Sequence, residues 1–304
     1  MSGISMDGEA KGYLFTVLSS LLMSASVVIN FVALQSVDVA TLTFYFFGFG
    51  LFGSVILLAI TRKFALAKQL FRKHWKPLAV LGLIGGTVSI FWFFALKLVG
   101  SSTMGFLMRF STVFTVALAV VFLKERINRG EIFAGMIVLL GVFLMMFKGS
   151  QHIVEGVILA LILSLVISLE QLFMKNYVKK IEPLVFNALR LVFTFLVITI
   201  YVVARANFEV PPPHVVLLIF LGAILSAVIG FIFYFKALEI SELSKVSIIR
   251  SLDPFVIFIY SLIFLGSVPT GLQLAGSVLI GIGAFLLVVA RHRPKMIVKL
   301  WPNF

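Results

Sequence analysis

Five ionisable side chains stand inside stretches otherwise too apolar to hold them: Arg109, Glu170, Arg190, Arg250 and Asp253. A charge at the centre of a bilayer costs roughly 3 kcal/mol or more, so such residues face a partner, a wet cavity or a ligand. Arg109 and Arg250 each lie about eight residues into an apolar span. At ~1.5 Å per residue that is ~12 Å deep, beyond comfortable snorkelling. A guanidinium at that depth can hold a carboxylate or phosphate through paired N–H bonds, or form an internal ion pair. Arg250 and Asp253 are three apart and share a helical face. Pro254 has no N–H, so the carbonyl of Arg250 loses its usual helical partner, which suits a binding site or a hinge. Glu170 has two roles open to it: carrying a coupling proton, or pairing with Arg190 or Arg250. Arg190 has Asn187 one turn before it, and either lines a site or snorkels to the nearer surface. Trp92 and Tyr234 could wall the organic part of a ligand. With 33 Phe in the chain, ordinary aromatic packing is the competing reading.

The elements that must position these residues are membrane spans. The chain is 61% hydrophobic and 12% charged, with mean hydropathy +1.17, whereas a soluble domain carries about 25% charged residues. A helical span needs roughly 20 apolar residues. Spans are expected near 12–34, 39–61, 77–97, 101–123, 131–147, 155–175, 184–204, 214–236, 243–265 and 271–290. Asp7 and Glu9 oppose a cleavable signal, and Tyr13 to Leu34 is long enough to span. There is no cysteine, hence no disulfide, thiolate metal site or cysteine nucleophile. His74, His152, His214 and His292 fall in loops or at span ends, and there is no HExxH or P-loop pattern, so no cofactor or metal is expected and an intramembrane enzyme is disfavoured. Glycines such as Gly48, Gly82, Gly85, Gly86, Gly135 and Gly281 are expected to let helices approach closely.

A net charge of +13 could suggest nucleic acid, but the distribution gives a better reason. Most of the 25 Lys and Arg residues flank one side of the spans, whereas the other side has only Lys97, Lys148 and Arg205. The positive-inside rule puts the rich side and both termini in the cytoplasm of a plasma membrane, the inner membrane in a Gram-negative cell. No nucleic-acid partner is expected. Residues 61–76 read TRKFALAKQLFRKHWK, with Phe64, Ala67, Phe71 and Trp75 roughly on one helical face and basic residues on the other. The stretch reads either as a topology-setting basic loop or as a helix lying on anionic lipids of the inner leaflet. Pro211 to Pro213 reads as a stiff outer turn. Oligomeric state is left open, a homodimer included.

The two halves repeat. Trp92, Ala95-Leu96, Arg109, Thr112, Phe122-Leu123, Gly135 and Gly141 align with Tyr234, Ala237-Leu238, Arg250, Pro254, Phe264-Leu265, Gly276 and Gly283 at an offset of about 142. Five spans per half is an odd number, so the second half must insert upside down. The charge of matching loops agrees: Lys124-Glu125-Arg126-Ile127-Asn128-Arg129 corresponds to the uncharged Gly266-Ser267-Val268-Pro269-Thr270. An inverted repeat is a common build of carriers that open to alternate sides.

These motifs resemble the EamA-type branch of the drug/metabolite transporter superfamily over essentially the whole chain. Ala95-Leu96, Phe122 to Arg126 and Gly135 look like the end of one EamA repeat. Ala237-Leu238, Ser251 to Pro254 and Phe264 to Gly266 look like the end of the other, and Asn187 to Arg190 resembles the start of a repeat's second helix. Phe46 stands where the first half would have an arginine, and Ser267 where the repeat has an acid. The resemblance implies an all-α membrane protein with ten transmembrane helices, built as two inverted five-helix repeats, 1–150 and 151–304, around a central cavity. It also implies transport of amino acids, other small metabolites or drugs, often outward. A small-molecule substrate would then meet Arg109, Arg250, Trp92, Tyr234, Asn187 and Arg190, with Glu170, Asp253 and Pro254 coupling or gating. The alternatives are a channel or a non-transporting membrane scaffold.

Overall fold

A computed structural model describes residues 6–111, 113–114, 117–118, 129–146, 151–178, 180–205, 209–241, 246, 249–250, 252–266 and 271–292. Thr112, Phe122, Leu123, the charged loop at 124–128, its counterpart at 267–270, Lys148, Lys245, Ser251 and the tail beyond His292 lie outside the described residues.

Ten helical segments follow one another among the described residues: α1 (Met6–Ala33), α2 (Val39–Ile60), α3 (Phe64–Val99), α4 (Ser101–Leu107), α5 (Arg129–Met146), α6 (Gln151–Val178), α7 (Pro183–Arg205), α8 (Pro213–Ile240), α9 (Asp253–Leu265) and α10 (Gly271–His292). Six of them, α1, α2, α3, α6, α7 and α8, are long and apolar enough to cross a membrane. Local chemistry sets many of the ends. Asp38 caps α2 by accepting the Thr41 N–H at 2.7 Å. Pro183 and Pro213 open α7 and α8, where a missing N–H costs nothing. Gly266, at φ 58°, closes α9 in the left-handed conformation that glycine tolerates. Gly100, at φ 80°, turns the chain from α3 into α4.

Two helices differ from their expected spans. In the third, a helix starting at Phe64 carries the basic stretch and joins the expected span across a kink. It bends at His74 (φ −127°, ψ 17°), because Pro77 offers no N–H to the preceding turn. Of the ninth, residues 242–245, 247–248 and 251 lie outside the described residues. Its regular helix starts at Asp253, with Pro254 in the first turn.

The chain forms two compact units, and neither is a sequence half. The first joins Met1–Lys97 to Glu170–Glu242, and the second joins Leu98–Leu169 to Leu243–Phe304. In the first, α2 packs along α7, and α1 along α8. Gly82 and Gly86 let α3 meet the α7 backbone: a Cβ on either would come to 2.9 Å from the Arg190 carbonyl or 3.0 Å from that of Thr194. In the second, α5 packs along α10 and α4 along α9. A Cβ on Gly141 would lie 2.6 Å from the Gly276 carbonyl. Gly135 departs from expectation, since nothing stands within 4 Å of its Cβ position. Each unit thus pairs helices that the repeat makes equivalent: α2 with α7, α4 with α9, and α5 with α10.

Candidate functional site

In the second unit a polar cluster grows from two broken helices. Regular α4 ends at Leu107. The next turns tighten, with the Arg109 N–H bonded to the Phe106 carbonyl and the Ser111 N–H to that of Met108. The Ser164 hydroxyl of α6 approaches the Leu107 carbonyl at 3.4 Å. One turn on, the Ser168 hydroxyl stands 2.7 Å from the Ser111 carbonyl and 2.7 Å from that of Ser164, sharing its one proton between them. Irregular backbone at membrane depth persists where neighbouring side chains satisfy it in this way. Small and aromatic residues hold α4 against α9: the Ser101 and Ser261 hydroxyls are 2.7 Å apart, and Phe106 meets Phe255 edge-on at 5.4 Å.

That packing brings Arg109 to the start of α9. Its Nη1 donates to the Arg250 carbonyl at 2.7 Å, the acceptor that Pro254 deprives of a helical N–H. Its Nη2 lies 3.7 Å from Asp253 Oδ2. Arg250 Nε donates to the same oxygen at 3.0 Å. Two guanidiniums thus converge on one carboxylate, which sits in the first turn of α9 where the helix dipole also favours an anion. Asp253 is buried, while the arginine side chains keep 15% and 18% of their surface. Span four lacks an acid of its own, and the structure supplies one to Arg109 from α9.

A second cluster lies in the first unit. Arg190 Nη1 is 3.8 Å from Glu170 Oε1, and its guanidinium lies over the Phe231 ring at 4.8 Å. Both ions are buried, so Arg190 does not snorkel. Gly85 makes room for them, since a Cβ there would lie 3.1 Å from Arg190 Nη1 and 3.4 Å from Glu170 Oε1. Asn187 donates Nδ2 to the Ala227 carbonyl at 2.8 Å. Ala227 belongs to a π-helical turn of α8, Ile224–Gly230, a wider winding that loosens the regular ladder and often marks functional positions. Ser26 braces the same helix from α1, its hydroxyl donating to the Gly222 carbonyl at 2.8 Å while Asn30 Nδ2 donates to Ser26 Oγ at 2.9 Å.

The EamA-like transporter family matches residues 10–147 and again 154–289, together nearly the whole chain. The chain belongs to the EamA-like transporter family. It is a multi-pass membrane transporter, built from two EamA domains, and the family is not one of enzymes. A solved crystal structure of a protein 17% identical shares the fold, with a TM-score of 0.64 over 94% of this chain and 97% of the other. No curated protein matches.

Within this EamA-like transporter the nine residues singled out from sequence divide between the units. Arg109, Arg250, Asp253 and Pro254 come together in the second. Glu170, Arg190, Asn187, Trp92 and Tyr234 fall in the first. There Trp92 is half-buried with its ring edge-on to Phe93, and Tyr234 is buried beside Phe235. Sequence reasoning missed Ser164 and Ser168, which meet carbonyls beyond α4, and Ser26 and Asn30, which meet α8. Their signal was present as polar residues four apart within apolar spans, 164 and 168 on α6 and 26 and 30 on α1.

Proposed function

We propose that this transporter is a secondary carrier that moves a small organic metabolite outward by alternating access, with an amino acid or related carboxylate favoured. The observation that carries this reading is the convergence of Arg109 and Arg250 on Asp253 at two helix breaks. A solute carboxylate offers those guanidiniums the same chemistry that Asp253 and the Arg250 carbonyl offer them now. Two guanidiniums share one carboxylate, so a solute carboxylate can take over the Arg109 contacts while Asp253 stays with Arg250, and no charge is left bare. Pro254 keeps the start of α9 free of a helical bond that would compete with the exchange. In the first unit, Trp92, Tyr234, Asn187 and Arg190 are kept as separate candidate solute contacts, and Glu170 as the candidate for a coupling proton. Both termini are assigned to the cytoplasm of the plasma membrane, with residues 61–76 on the inner leaflet and Pro212 outside.

A thermal-shift screen of the purified protein against amino acids, carboxylates, sugars and nucleotides identifies the solute, because a ligand of the folded state raises its apparent stability. Uptake of that solute into proteoliposomes is expected to be saturable and concentrative. Flux linear in solute concentration, or none beyond protein-free vesicles, would return the chain to the channel or scaffold readings.

A further inference from the structure

The start of α3 carries a feature that moving a solute does not require. Before the bend at His74 the helix presents Phe64, Leu66 and Phe71 to the outside, exposed by 49%, 36% and 38%, and just past it Trp75, exposed by 48%. Ala67, between them in sequence, is buried and anchors the segment to the protein. Lys68, Arg72, Lys73 and Lys76 are all exposed. At ~100° per residue, Phe64 and Phe71 fall on one line, and Lys68 and Arg72 on the line beside it. Ala65, Lys68, Gln69, Arg72 and Lys73 line a shallow, open groove along one face of the helix. Lys76 stands 5.9 Å from the centre of the Trp75 ring, bringing a cation and an interfacial aromatic to one level.

We propose that this groove seats the headgroup of an anionic phospholipid of the leaflet in which the helix rests, with Phe64, Phe71 and Trp75 among its acyl chains. Charge complementarity selects the occupant. The groove offers three cations and one amide, and among the described residues no acid lines it. The flanking aromatics need the acyl boundary that only a lipid, not a soluble anion, brings with it. The bend above Pro77 allows the segment to follow the membrane surface while the rest of α3 spans. The orientation proposed above only names the leaflet as the inner one.

Trp75 reports on the site. In a Trp92→Phe, Trp301→Phe background it is the only indole left, since the chain has three Trp. The protein is reconstituted in phosphatidylcholine vesicles containing one-fifth phosphatidylglycerol, with bromine on the acyl chains of one lipid or the other. Brominated phosphatidylglycerol is expected to quench Trp75 several-fold more, per mole, than brominated phosphatidylcholine, since each nearby cation favours the anionic lipid by about five-fold. The preference should fall to near parity in Lys68→Gln, Arg72→Gln, Lys73→Gln, Lys76→Gln protein, and weaken in wild type at high salt. Equal quenching by the two lipids in wild type overturns the proposal. So does loss of the preference on adding millimolar glycerol phosphate or an acidic peptide, which would make the groove a site for a soluble anion or a protein.

Discussion

Asp253 neutralises two arginines at once, so a change at any one of the three alters the other two. Arg109→Ala is expected to weaken binding of an anionic or zwitterionic solute about 10-fold or more, the scale of a lost charged hydrogen bond. Arg109→Lys should recover only part, because an ammonium cannot reach a carbonyl and a carboxylate together as the guanidinium does. Calorimetry on folded, monodisperse protein reads both, and wild-type affinity in Arg109→Ala would leave the arginine a purely structural role. The Glu170–Arg190 pair calls for a different test, because both members are buried. Glu170→Gln leaves a guanidinium uncompensated and is expected to cost roughly 3–5 kcal/mol, seen as a lower unfolding temperature, with Arg190→Gln added to it recovering part of the loss. If Glu170 also carries the coupling proton, the same variant loses pH-driven accumulation in proteoliposomes while solute exchange persists. Retained accumulation would confine Glu170 to the ion pair.

At the scale of elements, the breaks in α4 and α9 are held by neighbours rather than by their own sequence. Ser164 and Ser168 of α6 meet the Leu107 and Ser111 carbonyls beyond the end of α4. Replacing both with Ala is expected to lower stability by about 2 kcal/mol, at ~1 kcal/mol for each hydrogen bond. Thermal unfolding of the single and double variants checks this, and an unchanged midpoint would show that the breaks are satisfied otherwise. The α5–α10 pair depends on backbone contact. Gly141→Leu would drive a side chain into the Gly276 carbonyl, so the variant is expected to lose most of its monodisperse yield in size-exclusion chromatography. Gly135→Leu, where space is open, should keep it.

For the molecule as a whole, the charge asymmetry of its loops predicts the orientation. Single cysteines can be introduced freely, since none is native. A membrane-impermeant thiol reagent applied to intact cells is expected to label Pro212→Cys and to miss Gly130→Cys, and the opposite pattern would invert the topology. We assign 1–150 and 151–304 as the two repeats, and the compact units cut across them. The odd number of spans in each half offers a physical reason. With equivalent helices running in opposite directions, α2 with α7, α4 with α9 and α5 with α10 can pack as antiparallel partners.

The sequence by itself determined the solvent, the ten segments, the duplication and the family, because these rest on composition, on period and on motifs that each half carries locally. It also marked the residues of both clusters, since a charge in an apolar span is conspicuous wherever it ends up. It even released the Arg250 carbonyl, as the absence of an N–H on Pro254 is a property of one residue. What took that carbonyl was decided by tertiary structure alone. Arg109 reaches it from 141 positions away, because Ser101, Gly105 and Phe106 fit α4 against α9. The choice of Arg190 for Glu170 depended likewise on Gly82, Gly85 and Gly86 drawing α3 against α7 and leaving room for two buried ions. Partner choice is a matter of distance between helices, and side-chain volumes at remote contacts fix that distance. No local pattern in the chain records it.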